Sequence, residues 1–114
     1  MTEKTVRLNP TKLAADLDAF EKLEPAIHTK ARLAIVSLLA ANEALSFIEL
    51  RDGLRLTDGN LAAHLRALED ANLIRLRKTG NPSKPTTMVS LSATGRTAFT
   101  RYLEGLEHIL KRHR

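Results

Sequence analysis

Residues 56–91, LTDGNLAAHLRALEDANLIRLRKTGNPSKPTTMVSL, change their hydrophobic period part-way along, and this limits the fold more than any other feature of the chain. In the first half, Leu61, Leu65 and Leu68 step by four and three, giving a helix with one apolar stripe. Gly59, Ala63, Arg66, Ala67 and Asp70 fall on the other side of that helix. In the second half, two strand-like runs at 73–77 and 86–91 flank a stretch of Gly, Asn, Pro, Ser and Lys, the pattern of a hairpin with an open tip. A helix with one face buried and one face on offer is thus followed at once by a basic hairpin.

With 114 residues there is room for one compact domain, or for one small core with interaction helices. Hydrophobic residues at 43% and charged residues at 27% indicate a globular chain, and no apolar run approaches a membrane span. The start, MTEKTVRLNP, lacks the apolar core of a signal peptide, and cysteine is absent, so a soluble cytoplasmic protein is expected. The net charge of +5 and the pI near 10.0 suit a polyanionic partner. Placement says more than the total: Arg75, Arg77, Lys78 and Lys84 lie in the hairpin, with no acidic residue between positions 73 and 91. A basic surface kept for solubility is the alternative.

Taken in order, Asn9 and Pro10 open a first helix, expected over about 10–24, with Leu13, Leu17 and Phe20 on one stripe and Pro25 beyond it. Thr29 caps a second, apolar helix carrying Leu33, Val36 and Leu39, and residues 42–45 read as a plain connection. Ser46 and Glu49 have capping-box spacing ahead of a short helix whose Phe47, Leu50 and Leu54 face the core. Thr57 caps the helix expected over 57–72, and Asn72 is a left-handed terminator. Gly59, in its first turn, either lets a phosphate or base edge approach the backbone or simply eases a tight turn.

The hairpin takes its apolar contacts from Leu73, Ile74, Leu76, Met88, Val89 and Leu91, and residues 79–85 read as a polar loop. A tip presenting Lys78, Asn81, Ser83 and Lys84 beside such a helix suits phosphates or a minor groove, against the alternative of an idle loop. Ser92 caps a last helix running to about His113. Phe99, Leu103, Leu106 and Leu110 form a seam along it, widened by Tyr102 and Ile109. A second copy is the economical partner for that seam, since a core of about 29–91 leaves nothing else to cover. Packing against the stripe of Leu13, Leu17 and Phe20 within one chain is the other way to bury it.

Catalytic and metal-binding signatures are missing. The four histidines, His28, His64, His108 and His113, are the only soft ligands, and Glu104 with His108 reads as a solvated helix face despite its i, i+4 spacing. No phosphate loop, nucleophile elbow or carboxylate pair appears, so neither enzyme activity nor a cofactor is expected. A small-molecule effector is compatible with the sequence but leaves no mark on it. RNA binding would want an aromatic platform, whereas the three Phe and one Tyr occupy core or seam positions.

The motifs LTDGNLAAHLRALE, the basic hairpin with Gly80 and Pro82, and LSATGR in that order make the chain resemble the winged-helix regulators of the MarR and ArsR type. The resemblance implies a mainly α fold with a small β-hairpin (α+β), a winged helix-turn-helix with N- and C-terminal dimerisation helices over about 10–24 and 93–113. It also implies a homodimer on a two-fold-related operator, with recognition helices in successive major grooves and wings on flanking DNA. By position, Thr57, Asp58, Gly59 and Asn60 match the start of the recognition helix and His64 the family histidine, while Gly95 and Arg96 match the motif after the wing. Arg55 stands where a turn glycine is usual, at a cost of about 1 kcal/mol if the backbone there is left-handed.

Ala62 and Ala63 replace a polar pair, which thins direct readout at the helix centre. Ala63 can still touch a thymine methyl, Asn60 can pair with adenine, and Arg66 can reach a phosphate or guanine. The expected partner is double-stranded DNA, met through these residues and through Arg77, Lys78, Asn81, Ser83 and Lys84 of a wing over 75–87. The expected role is a homodimeric transcriptional repressor. The competing reading is a winged-helix protein-interaction module without DNA contact, for which a cationic tip has no purpose.

Overall fold

The computed structural model describes residues 23–27 and 29–112. The helix expected over 10–24, with Leu13, Leu17 and Phe20, lies outside them as far as residue 22, as do His28 and His113, while Leu23 and Glu24 are described and are not helical. Among the described residues there are four helices and three strands: α1 (Lys30–Ala41), β1 (Leu45–Ser46), α2 (Phe47–Gly53), α3 (Asp58–Asp70), β2 (Ile74–Asn81), β3 (Lys84–Leu91) and α4 (Ala93–Arg112).

Side chains close to each helix start satisfy its free backbone N–H groups. Thr29 accepts from the Arg32 N–H at α1, and Ser46 and Glu49 form the reciprocal capping box at α2. Hydrogen bonds from Ser46, its backbone N–H first and its side chain second, hold the Glu49 carboxyl below its ordinary range. Helices α2 and α3 both end in left-handed residues, Arg55 (φ 55°) and Asn72 (φ 62°). At each, two N–H groups return to the last turn: Arg55 to Asp52 and Leu56 to Arg51, then Asn72 to Glu69 and Leu73 to Leu68.

The core joins Ile35, Val36 and Leu39 of α1, Leu50 of α2, Leu61, Leu65 and Leu68 of α3, and Ile74 and Val89 of the sheet. Phe47 and Leu54 pack at its margin. It continues further than the sequence indicated. Tyr102 of α4 belongs to it, as do Leu23 and Ile27 ahead of α1. The last helix therefore has a core to cover, and the expected seam divides. Tyr102 and Ile109 are instead buried within the chain, Phe99 and Leu106 are partly buried, and Leu103 and Leu110 remain 47% and 59% exposed.

Two further corrections concern the sheet, whose strand order is β1-β3-β2. Leu45, read as the end of a connection, and Ser46, read only as a cap, form a third strand, with Leu45 opposite Val89 and Ser46 opposite Met88. Residues 79–85 are not an open loop: β2 and β3 pair from Ile74↔Leu91 out to Asn81↔Lys84, leaving only Pro82 and Ser83 outside the ladder. Thr79 and Thr86 make a β-branched cross-strand pair near the tip, and Gly80 takes φ 86°. Pro85, opposite Gly80, is one step in from the closing pair, where the alternation of the ladder turns its missing N–H away from β2. Strand β1 pairs only as far as Met88, so no neighbour wants that N–H.

The foot of α4 is tied to the end of α3. Ser92 Oγ accepts from the Gly95 N–H at 2.8 Å and donates to the Asn72 carbonyl at 2.6 Å, while the Ser92 N–H donates to the Leu73 carbonyl at 3.0 Å. Gly95 is buried against that same Leu73 backbone, and a Cβ there would run into the carbonyl group.

Candidate nucleic-acid interface

The leading end of α3 is built by its cap. Thr57 Oγ1 accepts from the Asn60 N–H at 3.1 Å, which sets Asp58, Gly59 and Asn60 in the first turn, all exposed. Asp58 complements the positive end of the helix. Its Oδ1 accepts from Arg51 Nη1 at 3.0 Å, and Arg51 Nε donates to Asp52 Oδ1 at 2.9 Å. Asp52 and then Asp58 hold the Arg51 guanidinium protonated more firmly than an ordinary arginine. Arg51 thus brackets the turn between α2 and α3, a role the sequence did not reveal because its two partners lie in different elements.

Ala63 and Arg66 extend the exposed face of α3, with Ala62 beside them. Gly59 has open space on its side-chain side, so nothing among the described residues requires a glycine there. His64 departs from this face. It is half-buried, and its Nδ1 accepts from Arg32 Nε of α1 at 3.2 Å, a bond that needs that nitrogen unprotonated. Arg32, not anticipated from the sequence, sets the histidine as a brace between α1 and α3.

In the hairpin, the pleat sorts the basic residues. Register places Arg75, Arg77 and Lys84 on the face of Asn81 and Met88, whereas Lys78 lies on the face of Thr87 and Val89. All four cations are exposed. At the turn, Asn81 Oδ1 accepts from the Ser83 N–H at 3.0 Å and from Ser83 Oγ at 2.9 Å. Between the end of α3 and the start of α4 lies a recess of about 490 Å³, lined in part by Glu24, Leu73, Thr97, Arg101 and Tyr102. Among the described residues, no group of three or more His, Asp or Glu side chains is placed to hold a metal ion. No helix among them is long and apolar enough to cross a membrane.

Residues 31–110 match the family model described as a winged helix DNA-binding domain. The chain belongs to the winged-helix DNA-binding domain family. An uncharacterized protein of Methanocaldococcus jannaschii is 35% identical over 72 residues, 63% of this chain and 78% of that one. The structure of a transcriptional regulator homologue from Pyrococcus horikoshii OT3 superposes with a TM-score of 0.77 at 27% identity, over 85% of this chain and 95% of that one. The S. aureus MepR–DNA complex shares the fold alone, with a TM-score of 0.68 at 17% identity, over 90% of this chain and 82% of MepR. In winged-helix terms, α2 and α3 are the helix-turn-helix, with α3 its second helix, and β2 and β3 form the wing.

Proposed function

We propose that this winged-helix protein is a sequence-specific double-stranded DNA-binding transcriptional regulator of the MarR/ArsR type. In this reading it is a homodimer that represses by occupying operator DNA. The observation that carries the reading is the pairing of an open recognition-helix face (Gly59, Asn60, Ala63 and Arg66) with a wing bearing Arg77, Lys78 and Lys84. Family membership and the transcriptional regulator homologue from Pyrococcus horikoshii support it. Helix α3 enters the major groove, where Asn60 meets adenine, Ala63 a thymine methyl and Arg66 a guanine or phosphate. Thr57 and Asp58 set the leading turn against the backbone, and the wing lies on flanking phosphates or in the minor groove. Because Ala62 and Ala63 offer little polar readout, phosphate and shape terms carry much of the affinity.

The unit that binds is the core at about 29–91, and the flanking helices at about 10–24 and 93–113 join two copies. Of the α4 seam, Leu103 and Leu110 are the side chains left open to a partner. The protein works by binding and carries out no chemistry on its partner. The test is fluorescence anisotropy on a duplex taken from upstream of its own gene, against a scrambled duplex, across a salt series. The upstream duplex is expected to be preferred at high salt. Lys78→Gln and Lys84→Gln are each expected to reduce the slope of log K against log salt by about 1. Unchanged slopes in both variants would move the assignment to a protein-interaction module.

A further inference from the structure

We propose that Asn81, at the tip of the wing, reads A·T base pairs from the minor groove through its amide NH2 group. The proposal rests on the DNA-binding reading above and names what the wing recognises. The first support is shape. The hairpin is paired out to Asn81↔Lys84 and closed by Pro82 and Ser83, so its tip is only two strands wide. Two paired backbones about 4.8 Å apart are together wider than a groove about 6 Å across, so what enters the groove is the two-residue turn with the Asn81 side chain beside it, held at the end of the ladder rather than on an open loop.

The second support is the fixed orientation of the amide. Asn81 Oδ1 accepts from both the Ser83 N–H (3.0 Å) and Ser83 Oγ (2.9 Å). The opposite flip would set amide N–H against backbone N–H, donor against donor, so the chemistry itself fixes which end is oxygen. Asn81 is exposed, and its Nδ2 has no hydrogen-bond partner among the described residues, so the amide donor is left for an outside acceptor. The third support is the setting. Lys84, the register partner of Asn81, is exposed on the same face to take a phosphate at the groove wall, and the wing carries no carboxylate.

A donor presented alone selects between base pairs. In the minor groove A·T and T·A display only acceptors, adenine N3 and thymine O2, whereas G·C sets the guanine amino donor in the way. The readout is therefore of A·T against G·C and is blind to which strand holds the adenine.

The test begins with duplexes selected by the full chain from a random pool. The flanking pair under the wing is then replaced by A·T, G·C or inosine·C, the last resembling G·C in the major groove but lacking the minor-groove amino group. A·T and inosine·C are expected to bind alike, and G·C about tenfold more weakly. Asn81→Asp keeps an acceptor for both Ser83 donors but presents oxygen in place of N–H, and it is expected to abolish the preference for A·T and turn it toward G·C, whose guanine amino group can donate to that oxygen. Its added charge weakens all three duplexes together and does not by itself alter their ratios. A preference for A·T that survives in Asn81→Asp overturns the assignment in favour of groove shape, and equal binding of all three duplexes by the unsubstituted chain overturns it outright. Failure to enrich any duplex overturns the DNA-binding reading itself, and Asn81 with it.

Discussion

Gly59 and Arg55 are opposite cases of a residue whose presence the local backbone does not explain. Gly59 occupies a helical turn with open space where a side chain would stand, so Gly59→Ala is expected to stabilise the fold by about 0.5 kcal/mol. The same methyl group intrudes on the approach of DNA. Urea unfolding and anisotropy on one preparation should therefore move in opposite directions, with a higher midpoint and binding weakened several-fold. Arg55 holds φ 55° without the freedom of glycine. Left-handed backbone costs an ordinary residue about 1–2 kcal/mol, and glycine gives back about 0.5–1 kcal/mol through its unfolded-state entropy. Arg55→Gly is thus expected to gain roughly 0.5–1 kcal/mol net, read as a raised Tm with unchanged far-UV circular dichroism.

At the level of elements, the joint between α3 and α4 is tied by hydrogen bonds and by a close backbone contact. Gly95 is buried against the Leu73 backbone, and the Leu73 carbonyl is itself held by the Ser92 N–H, so neither side of the contact can give way. Gly95→Ala is expected to cost about 2–3 kcal/mol in chemical denaturation, in contrast to the gain at Gly59. Features set by near neighbours were legible in the sequence: the caps Thr29, Ser46, Thr57 and Ser92, the terminator Asn72, and the stripe of Leu61, Leu65 and Leu68. Features set across elements were not. Arg32 and His64 are 32 positions apart, and the two residues of β1 are too few to show an alternation. The composition of the wing tip pointed to a loop because Gly80 and Pro85 each disfavour a strand. Placed opposite one another, they are tolerated in one. Helical period likewise gave the width of the α4 stripe but not which edge of it meets the chain's own core.

For the whole molecule, in the proposed dimer, that division of α4 separates folding from assembly. Tyr102 lies in the core, whereas Leu103 and Leu110 are open. Replacing both of the latter by glutamate is expected to leave the circular dichroism unchanged while sedimentation equilibrium shifts from dimer to monomer mass. Operator binding should fall with it, since each half-site alone lacks the second set of contacts.

The Ser92 hydroxyl, bonded to both Gly95 and Asn72, gives this assembly a mechanical property. It bolts a lever to a probe. A 20-residue helix such as α4 is about 30 Å long, so pivoting it by about 5° swings its far end by about 3 Å. In the proposed dimer the far ends are clamped together, and the swing appears at the bolted ends as a change in the distance between two recognition helices. That distance has to match the roughly 34 Å of one DNA turn. A small adjustment at the seam therefore acts as a focusing screw, bringing both helices into register with their grooves or taking both out at once.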